Sequence, residues 1–251
     1  MQRQIATFRI PEIAGLVGLV AALGGCAANG GDESLLVVKA VAPPALATGG
    51  VCTFTASGDE AGLVHGALDV TSGFGYQIVA QVKSRITADT GQDDVRTIFL
   101  RGANVDLTFP DAATFSAQIS DLQSKGLLHF MAPISTSLPP NGSIADVGFE
   151  LIPAGVATEL KTMAAFSSTV VDATFTIAGD LAGGNVSSQA FHYSVTLGNQ
   201  NLIVDKGPCS TIPSSFVPHP GNVCYPGQDF VIDCCEDPST ARVCPAVGTG
   251  M

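Results

Sequence analysis

The sequence predicts a mainly β protein, a β-sandwich of immunoglobulin-like or fibronectin-like architecture with an irregular, disulfide-stapled C-terminal segment. Seven or more short segments alternate apolar and polar residues, which is typical of half-buried strands. The chain is poor in charged residues (13%), lacks Trp and contains 28 Gly, a balance that fits an extracellular β protein. Five of its seven cysteines follow residue 206, and there they accompany many prolines and few apolar residues. That composition favours covalent cross-links over a hydrophobic core of its own.

The N-terminus has the pattern of a bacterial lipoprotein leader. An uncharged apolar run at residues 13–23 follows two arginines, and its eleven residues are too few for a membrane-spanning helix, which needs roughly 20. Residues 23–26, Leu-Gly-Gly-Cys, match a lipobox, where the leader is cut and the new N-terminal cysteine is acylated. We expect residues 1–25 to be a signal peptide and Cys26 to carry the lipid, with palmitate among its acyl chains. A non-lipidated signal peptide and an ordinary buried helix are the alternatives.

The chain that follows the leader would be strongly acidic. Cleavage before Cys26 leaves 9 basic and 21 acidic residues, a formal net charge of −12. Such a surface repels nucleic acid, which we exclude as a partner. Ala27 stands where many inner-membrane lipoproteins have Asp, so we expect an outer-membrane protein that faces the periplasm or the cell surface. Its first partner would be the lipid bilayer, through Cys26.

Three regions follow the leader: a Gly-containing, lipid-anchored tether at residues 26–34, a sandwich at 35–205 and a Cys/Pro-rich segment at 206–251. Alternation in the first part of the sandwich predicts strands at residues 35–41, 51–55, 62–70, 76–86 and 95–109. In the segment 95–109, Gly102 interrupts the alternation of apolar and polar residues. This interruption predicts a β-bulge or a strand that changes sheets.

The clearest hairpin is predicted later, from the alternating segments 171–177 and 191–197. The stretch 179–188 between them contains Gly-Gly-Asn but is too long for a tight two-residue turn. A helix is predicted over 153–166, because Pro opens an Ala-rich run there. Residues 112–125 fit either a helix or a strand.

The cysteine count predicts three disulfides in an oxidising compartment, because six cysteines remain without Cys26. They are Cys52, Cys209, Cys224, Cys234, Cys235 and Cys244. Six cysteines allow 15 pairings, and twelve remain if the neighbours Cys234 and Cys235 do not bond to each other. We expect Cys52 to pair with Cys209, which would tie the first strands to the end of the last one. The other four would pair within the tail.

Metal binding is a weaker interpretation of the same region. Four of its cysteines could be drawn as zinc ligands, but they lack the paired spacing of zinc knuckles. Calcium candidates are Asp229, Asp233, Glu236 and Asp237. They do not match an EF-hand loop, and a solvated acidic face is the simpler explanation. We expect no metal and no cofactor.

Catalytic motifs are not found in the sequence. The four histidines are His65, His129, His192 and His219; none lies in HExxH, and no serine lies in GxSxG. His192 is placed on the outward face of a predicted strand and His219 in a loop between two prolines. We therefore expect a non-enzymatic binding or structural module, with an envelope protein or a polysaccharide as partner. A hydrolase whose site is assembled from distant residues is the alternative, and it should show a concave pocket where polar side chains with shifted pKa values converge.

The strand-turn-strand at 170–197, followed by Cys209 and by the tail Cys-Tyr-Pro-Gly-Gln-Asp at 224–229 with Cys-Cys at 234–235, resembles a group of uncharacterised lipoproteins from myxobacteria. Those proteins share a lipobox leader, a Gly-rich linker, a cysteine in the first strands and a Cys-rich end. The resemblance covers nearly the whole chain and implies a localisation and a fold, but no reaction. The Ser/Thr-rich residues 134–137 and the Pro-Pro-Asn-Gly stretch after them depart from the pattern.

Overall fold

The structure is a computed structural model. It describes residues 34–42, 61–88, 91, 93–163, 166–239 and 242–246, with backbone alone at 93 and 94. The expectations for the leader, for Cys26 and the tether, and for the strand that contains Cys52 fall outside these residues.

The described residues form twelve strands and three helices. The strands are β1 (Leu35–Val41), β2 (Gly62–Leu63), β3 (Gly66–Asp69), β4 (Tyr76–Ser84), β5 (Ile98–Thr108), β6 (His129–Leu138), β7 (Ile144–Ile152), β8 (Ser168–Leu181), β9 (Gly184–Ser187), β10 (Phe191–Gly198), β11 (Ile203–Pro208) and β12 (Ile232–Glu236). The helices are α1 (Asp93–Arg96), α2 (Ser116–Ser124) and α3 (Ala154–Lys161), and short 3-10 turns lie at Val70–Ser72 and Cys209–Thr211.

Two sheets pack face to face, which confirms the predicted β-sandwich. One has the order β2-β1-β4-β7 and the other β3-β10-β8-β5-β6. Their inner faces form one hydrophobic cluster, in which Phe149 of β7 and Phe175 of β8 meet edge to face with ring centroids 5.2 Å apart. All strand pairs of the sandwich are antiparallel except β3 with β10, which is parallel.

The alternation of β4 was predicted correctly for its inner face, where Tyr76, Ile78, Ala80 and Val82 are all buried. On the face expected to be polar and exposed, Lys83 is exposed but Gln81 is buried. The expected irregularity at Gly102 is confirmed, because the register of β5 against both neighbours shifts between Leu100 and Gly102.

The turn of the predicted hairpin is tighter than its sequence indicates. β8 runs on to Leu181, and β9 pairs with it through Leu181 and Gly184, so the connection is a two-residue turn. Its central residues Ala182 (φ 49°) and Gly183 (φ 82°) both have positive φ, as a type I′ turn requires. The expectation of a long loop at 179–188 is therefore wrong, because most of that stretch belongs to the end of β8 and to β9.

Strands β6 and β7 were not predicted. β6 contains the Ser/Thr-rich residues and Pro133, and it lies at the edge of its sheet, where a proline without an N–H is tolerated. The Pro-Pro-Asn-Gly stretch follows it and carries the chain from one sheet to the other. Asn141 (φ 64°) and Gly142 (φ 76°) make that bend, since both residue types tolerate positive φ.

The helices lie in connections. α3 confirms the predicted helix and begins directly after Pro153, with Val156 and Leu160 buried against the core. The ambiguous region 112–125 contains helix α2. Residues 93–96 form the single helical turn α1, so the strand predicted to begin at residue 95 begins at Ile98 instead.

Candidate functional site

The C-terminal segment covers the exposed edge of strand β3. The N–H of Asp69 donates to the carbonyl of Gly227 (2.8 Å), and the N–H of Asp229 donates to the carbonyl of Ala67 (2.8 Å). Residues 227–229 thus add a short antiparallel stretch to the sheet, which removes an edge that could pair with another chain. This contact confirms that the segment lies against the sandwich.

Two side chains of this stretch, Gln228 and Asp229, form a polar clasp across both sheets. The Gln228 amide donates to the carbonyl of Gln77 (2.7 Å) and accepts from its N–H (2.9 Å). The Asp229 carboxylate accepts from the N–H of Ala67 (2.9 Å) and from the Tyr76 hydroxyl (3.0 Å). Because Gln77 and Tyr76 belong to β4 and Ala67 to β3, the clasp holds the two sheets together at one end.

The clasp continues into the core through two tyrosines. The hydroxyls of Tyr76 and Tyr193 lie 3.1 Å apart, and Tyr76 is completely buried. The pKa of Tyr76 is raised far above its ordinary value, mainly by burial and secondly by the charge of Asp229. Burial also raises the pKa of Tyr193, to about 12. Both hydroxyls therefore stay protonated and donate hydrogen bonds at all physiological pH values.

Asp229 should make stability depend on pH. Burial raises the pKa of its carboxyl above the ordinary 3.8, so the folded state binds the proton more tightly than the unfolded state. The free energy of unfolding then falls as pH rises from the ordinary aspartate range through the raised value. Asn tolerates the positive φ of this position (61°) but does not titrate. Urea denaturation measures the free energy of unfolding of the native protein and of Asp229→Asn between about pH 4 and about pH 8. The decrease in this free energy that Asp229 causes should occur only in the native protein. Parallel pH profiles would contradict the assignment.

A second buried carboxylate, Asp69, anchors the start of the C-terminal segment. It is 0% exposed and accepts hydrogen bonds from the backbone N–H groups of Thr71 (2.9 Å), Leu202 (3.0 Å) and Ile203 (3.0 Å). The Thr71 hydroxyl (2.6 Å) and the N–H of Gln200 (3.3 Å) also donate to it. Burial alone would raise the pKa of Asp69, but these hydrogen bonds outweigh burial and lower it.

Two described disulfides staple the segment, and they correct the expected pairing. Cys209 bonds to Cys235, not to Cys52, and Cys234 bonds to Cys244. The physical reason is that β11 and β12 pair in parallel with Pro208 opposite Glu236, which brings the Cα atoms of Cys209 and Cys235 to 5.0 Å.

Cys224 is also disulfide-bonded. The other four described cysteines are paired with one another, so the expected pairing of Cys224 within the tail is wrong.

The four calcium candidates do not converge. Asp229 belongs to the clasp, Glu236 is exposed, and Asp237 accepts from the N–H of Ser239 (2.7 Å). Asp233 is 1% exposed and lies between the Lys206 ammonium (3.0 Å) and the His219 ring (2.9 Å). Over the described ranges of the chain, no group of three or more acidic, His or Cys side chains has the geometry of a metal site.

A cleft of about 590 Å³ opens between the C-terminal segment and the turn after β3. Its lining consists of Ser72, Phe74, Ile203, Pro226, Glu236, Arg242 and Cys244. Apolar groups form most of its wall, and Glu236 and Arg242 bring one charge of each sign. The hydrogen-bonded carboxylates of Asp69, Asp229 and Asp233 are not among its lining residues.

The comparisons with known proteins were negative. No protein-family model, curated protein or solved structure matches this chain. The arrangement of its side chains therefore carries the functional argument.

The outer face of the β3-β10-β8-β5-β6 sheet carries a row of hydrogen-bonding side chains across four adjacent strands. Asp106 of β5 is paired with His129 of β6 on one side and with Thr174 of β8 on the other. Thr174 is in turn paired with His192 of β10. The His129 ring contacts the Asp106 carboxylate at 2.5 Å, and the Thr174 hydroxyl contacts the His192 ring at 2.9 Å. His192 is exposed, which confirms its predicted outward position. We call this set the polar row.

An open depression of about 460 Å³ lies beside the polar row. It is lined by Arg101, Met131, Ala178, Gly179, Asn185, Val186 and Ser187. Small residues form its floor at the bulge of β5, and Met131 is 62% exposed. The outer face therefore offers polar groups in a line with an apolar contact next to them.

The remaining histidines have separate settings. His65 contacts the Thr196 hydroxyl on the same outer face (2.7 Å), whereas His219 lies in the expected loop and pairs with Asp233. Nothing in the sequence indicates that His65, His129 and His192 share one face, since they come from three different strands or turns.

The described part of the chain contains no helix with the length and hydropathy of a membrane span.

Proposed function

We propose that this chain is a lipid-anchored protein of the bacterial outer membrane and that its sandwich binds a neutral polysaccharide without chemical turnover. The lipobox at residues 23–26 supports the anchor at Cys26. The disulfides of the C-terminal segment support an oxidising compartment outside the cytoplasm. The ligand would reach the domain from the envelope or the cell surface.

The observation that carries the proposal is the polar row. Strands lie about 4.8 Å apart, so a polymer that crosses the sheet meets a new imidazole, carboxylate or hydroxyl at each strand. These groups can donate and accept hydrogen bonds in the way that sugar hydroxyls require. Their contacts with each other hold them in place before a ligand arrives, which reduces the entropy lost on binding.

Charge favours a neutral polymer. The formal net charge of −12 expected after cleavage repels a polyanion. Met131, which is 62% exposed and lies two positions after His129 in β6, offers an apolar contact for one sugar ring. Binding would thus depend on hydrogen bonds, with little aromatic stacking, in a chain that has no Trp.

The titratable groups support binding over hydrolysis. Asp69, Tyr76, Asp229 and Asp233, whose pKa values are shifted, hold the C-terminal segment to the sandwich or within itself. They do not line the depression or the cleft. An envelope hydrolase would require such groups to converge on a pocket.

Co-sedimentation of the purified mature chain with an insoluble neutral β-glucan and with chitin tests the proposal. The variant Asp106→Ala/Thr174→Ala removes the centre of the polar row and should weaken binding about tenfold or more, because two or more hydrogen bonds are lost. Asp111→Ala/Thr114→Ala removes the same residue types from an exposed loop and should bind like the native protein. If the native chain binds neither polymer, or if both variants lose binding equally, the proposed function is wrong.

A further inference from the structure

The cleft of the C-terminal segment holds two charged side chains side by side. The backbone of Cys235 exchanges both hydrogen bonds with that of Val243 (3.0 and 2.8 Å), so these two residues are an antiparallel pair. The residues on either side must then also face each other: Cys234 lies opposite Cys244, to which it is bonded, and Glu236 lies opposite Arg242. Because side chains alternate along a strand, both pairs point to the same face, and Glu236, Arg242 and Cys244 all line the cleft.

Glu236 and Arg242 do not neutralise each other. Within the residues that the structure describes, neither side chain forms an ion pair. Cross-strand neighbours have Cβ atoms about 5 Å apart. The cleft therefore presents a carboxylate and a guanidinium, both with unused hydrogen-bonding groups, within one small area.

This spacing is complementary to a ligand that has an ammonium and a carboxylate on the same carbon atom. The guanidinium can bind a carboxylate through two parallel N–H groups, while the Glu236 carboxylate accepts from the ammonium. Phe74, Ile203 and Pro226 form the apolar part of the same wall and would contact an apolar side chain on that carbon.

The frame of the cleft is rigid. Its wall includes the Cys234–Cys244 disulfide, and Ile203 is held by Asp69 through its N–H. On the other side Gly227 (φ 83°) approaches so closely that a Cβ atom would lie 2.9 Å from Ile203 and 3.1 Å from Ser72. A ligand would therefore meet a preformed wall, and only the exposed side chains of Glu236 and Arg242 would be ordered on binding.

We propose that the cleft binds a free α-amino acid with an apolar side chain, with Arg242 holding the carboxylate and Glu236 the ammonium. This site is separate from the polar row, and neither proposal depends on the other.

Isothermal titration of the mature chain with L-leucine and L-phenylalanine tests this inference. Leucinamide lacks the carboxylate and N-acetyl-leucine lacks the ammonium, so each should bind about tenfold or more weakly than leucine. Arg242→Gln should lose about tenfold in affinity for leucine and for N-acetyl-leucine but not for leucinamide. Glu236→Gln should lose affinity for leucine and for leucinamide but not for N-acetyl-leucine. Arg96→Gln, a matched change at an exposed arginine outside the cleft, should have no effect.

Absence of leucine and phenylalanine binding to the native chain would overturn the inference, as would equal affinity for leucine and its two blocked derivatives. Loss of binding to all three ligands in both cleft variants would overturn the assigned roles of Glu236 and Arg242. Polysaccharide binding by the same preparation, measured in parallel, shows whether the failure concerns the cleft alone.

Discussion

Replacing Asp69 with alanine is expected to lower the free energy of unfolding by about 3–5 kcal/mol and to loosen the start of the C-terminal segment, while the clasp still holds residues 227–229 to the sandwich. The carboxylate is completely buried and accepts from the N–H groups of Leu202 and Ile203, which open β11 and the segment. Alanine would leave these donors without an acceptor in a place that water does not reach.

The measurement is urea denaturation together with limited proteolysis. The native protein should resist cleavage after residue 199, whereas Asp69→Ala should be cut there before the sandwich unfolds. Asp111→Ala, a matched change at an exposed loop position, should behave like the native protein. Equal stability of Asp69→Ala and Asp111→Ala would show that Asp69 does not anchor the segment.

The contribution of Asp69 should also disappear in acid. Hydrogen bonds lower the pKa of its carboxyl below the ordinary 3.8 against the effect of burial, so the folded state binds the proton less tightly than the unfolded state. Its stabilisation is present above the ordinary aspartate pKa and is lost as pH falls through the lowered value. This sign is opposite to that expected for Asp229.

Removing the Cys209–Cys235 bond is expected to have the second large effect. The chain-entropy relation for a separation of 26 residues gives a loss of about 3.5 kcal/mol in the variant Cys209→Ser/Cys235→Ser. The segment has only small apolar clusters of its own, so little would compensate. Cys234→Ser/Cys244→Ser, with a separation of 10 residues, should lose less, about 2.7 kcal/mol.

Denaturation under non-reducing conditions measures both losses, and peptide mapping of the unreduced native chain checks the connectivity behind them. Mapping should recover Cys209 linked to Cys235. A peptide that links Cys209 to Cys52 would restore the sequence-based expectation and contradict the parallel pairing of β11 with β12.

The parts of the fold that follow from local pattern could be predicted from the sequence. Strands β5 and β8 each have one buried and one more exposed face, and this environment favours a period of two in the sequence. The start of α3 is marked by Pro153. The change of composition near residue 206 marked the C-terminal segment, although its first strand begins slightly earlier, at Ile203.

The candidate sites could not be predicted, because they depend on partners that are distant in sequence. Gln228 and Asp229 contact Gln77 and Tyr76 about 150 positions away, and nothing near either residue indicates this pairing. Asp229 was predicted only as a calcium candidate, because the cysteines and acidic residues around it in the sequence do not indicate that its partner is the buried Tyr76. The polar row likewise requires the order β6-β5-β8-β10, which alternation alone does not specify.

The proposed lipid anchor at Cys26 would hold this protein at the outer membrane, and labelling with palmitate measures whether Cys26 is acylated. Native chain and Cys26→Ser are expressed in a bacterial host with labelled palmitate, and the membrane and soluble fractions are compared. Several acyl chains, each contributing about 0.8 kcal/mol per buried methylene, should keep the native protein in the membrane fraction through washes with high salt. The Cys26→Ser protein should carry no label and should not form the mature anchored species. A Cys26→Ser protein that is still labelled and still bound to the membrane would contradict the account.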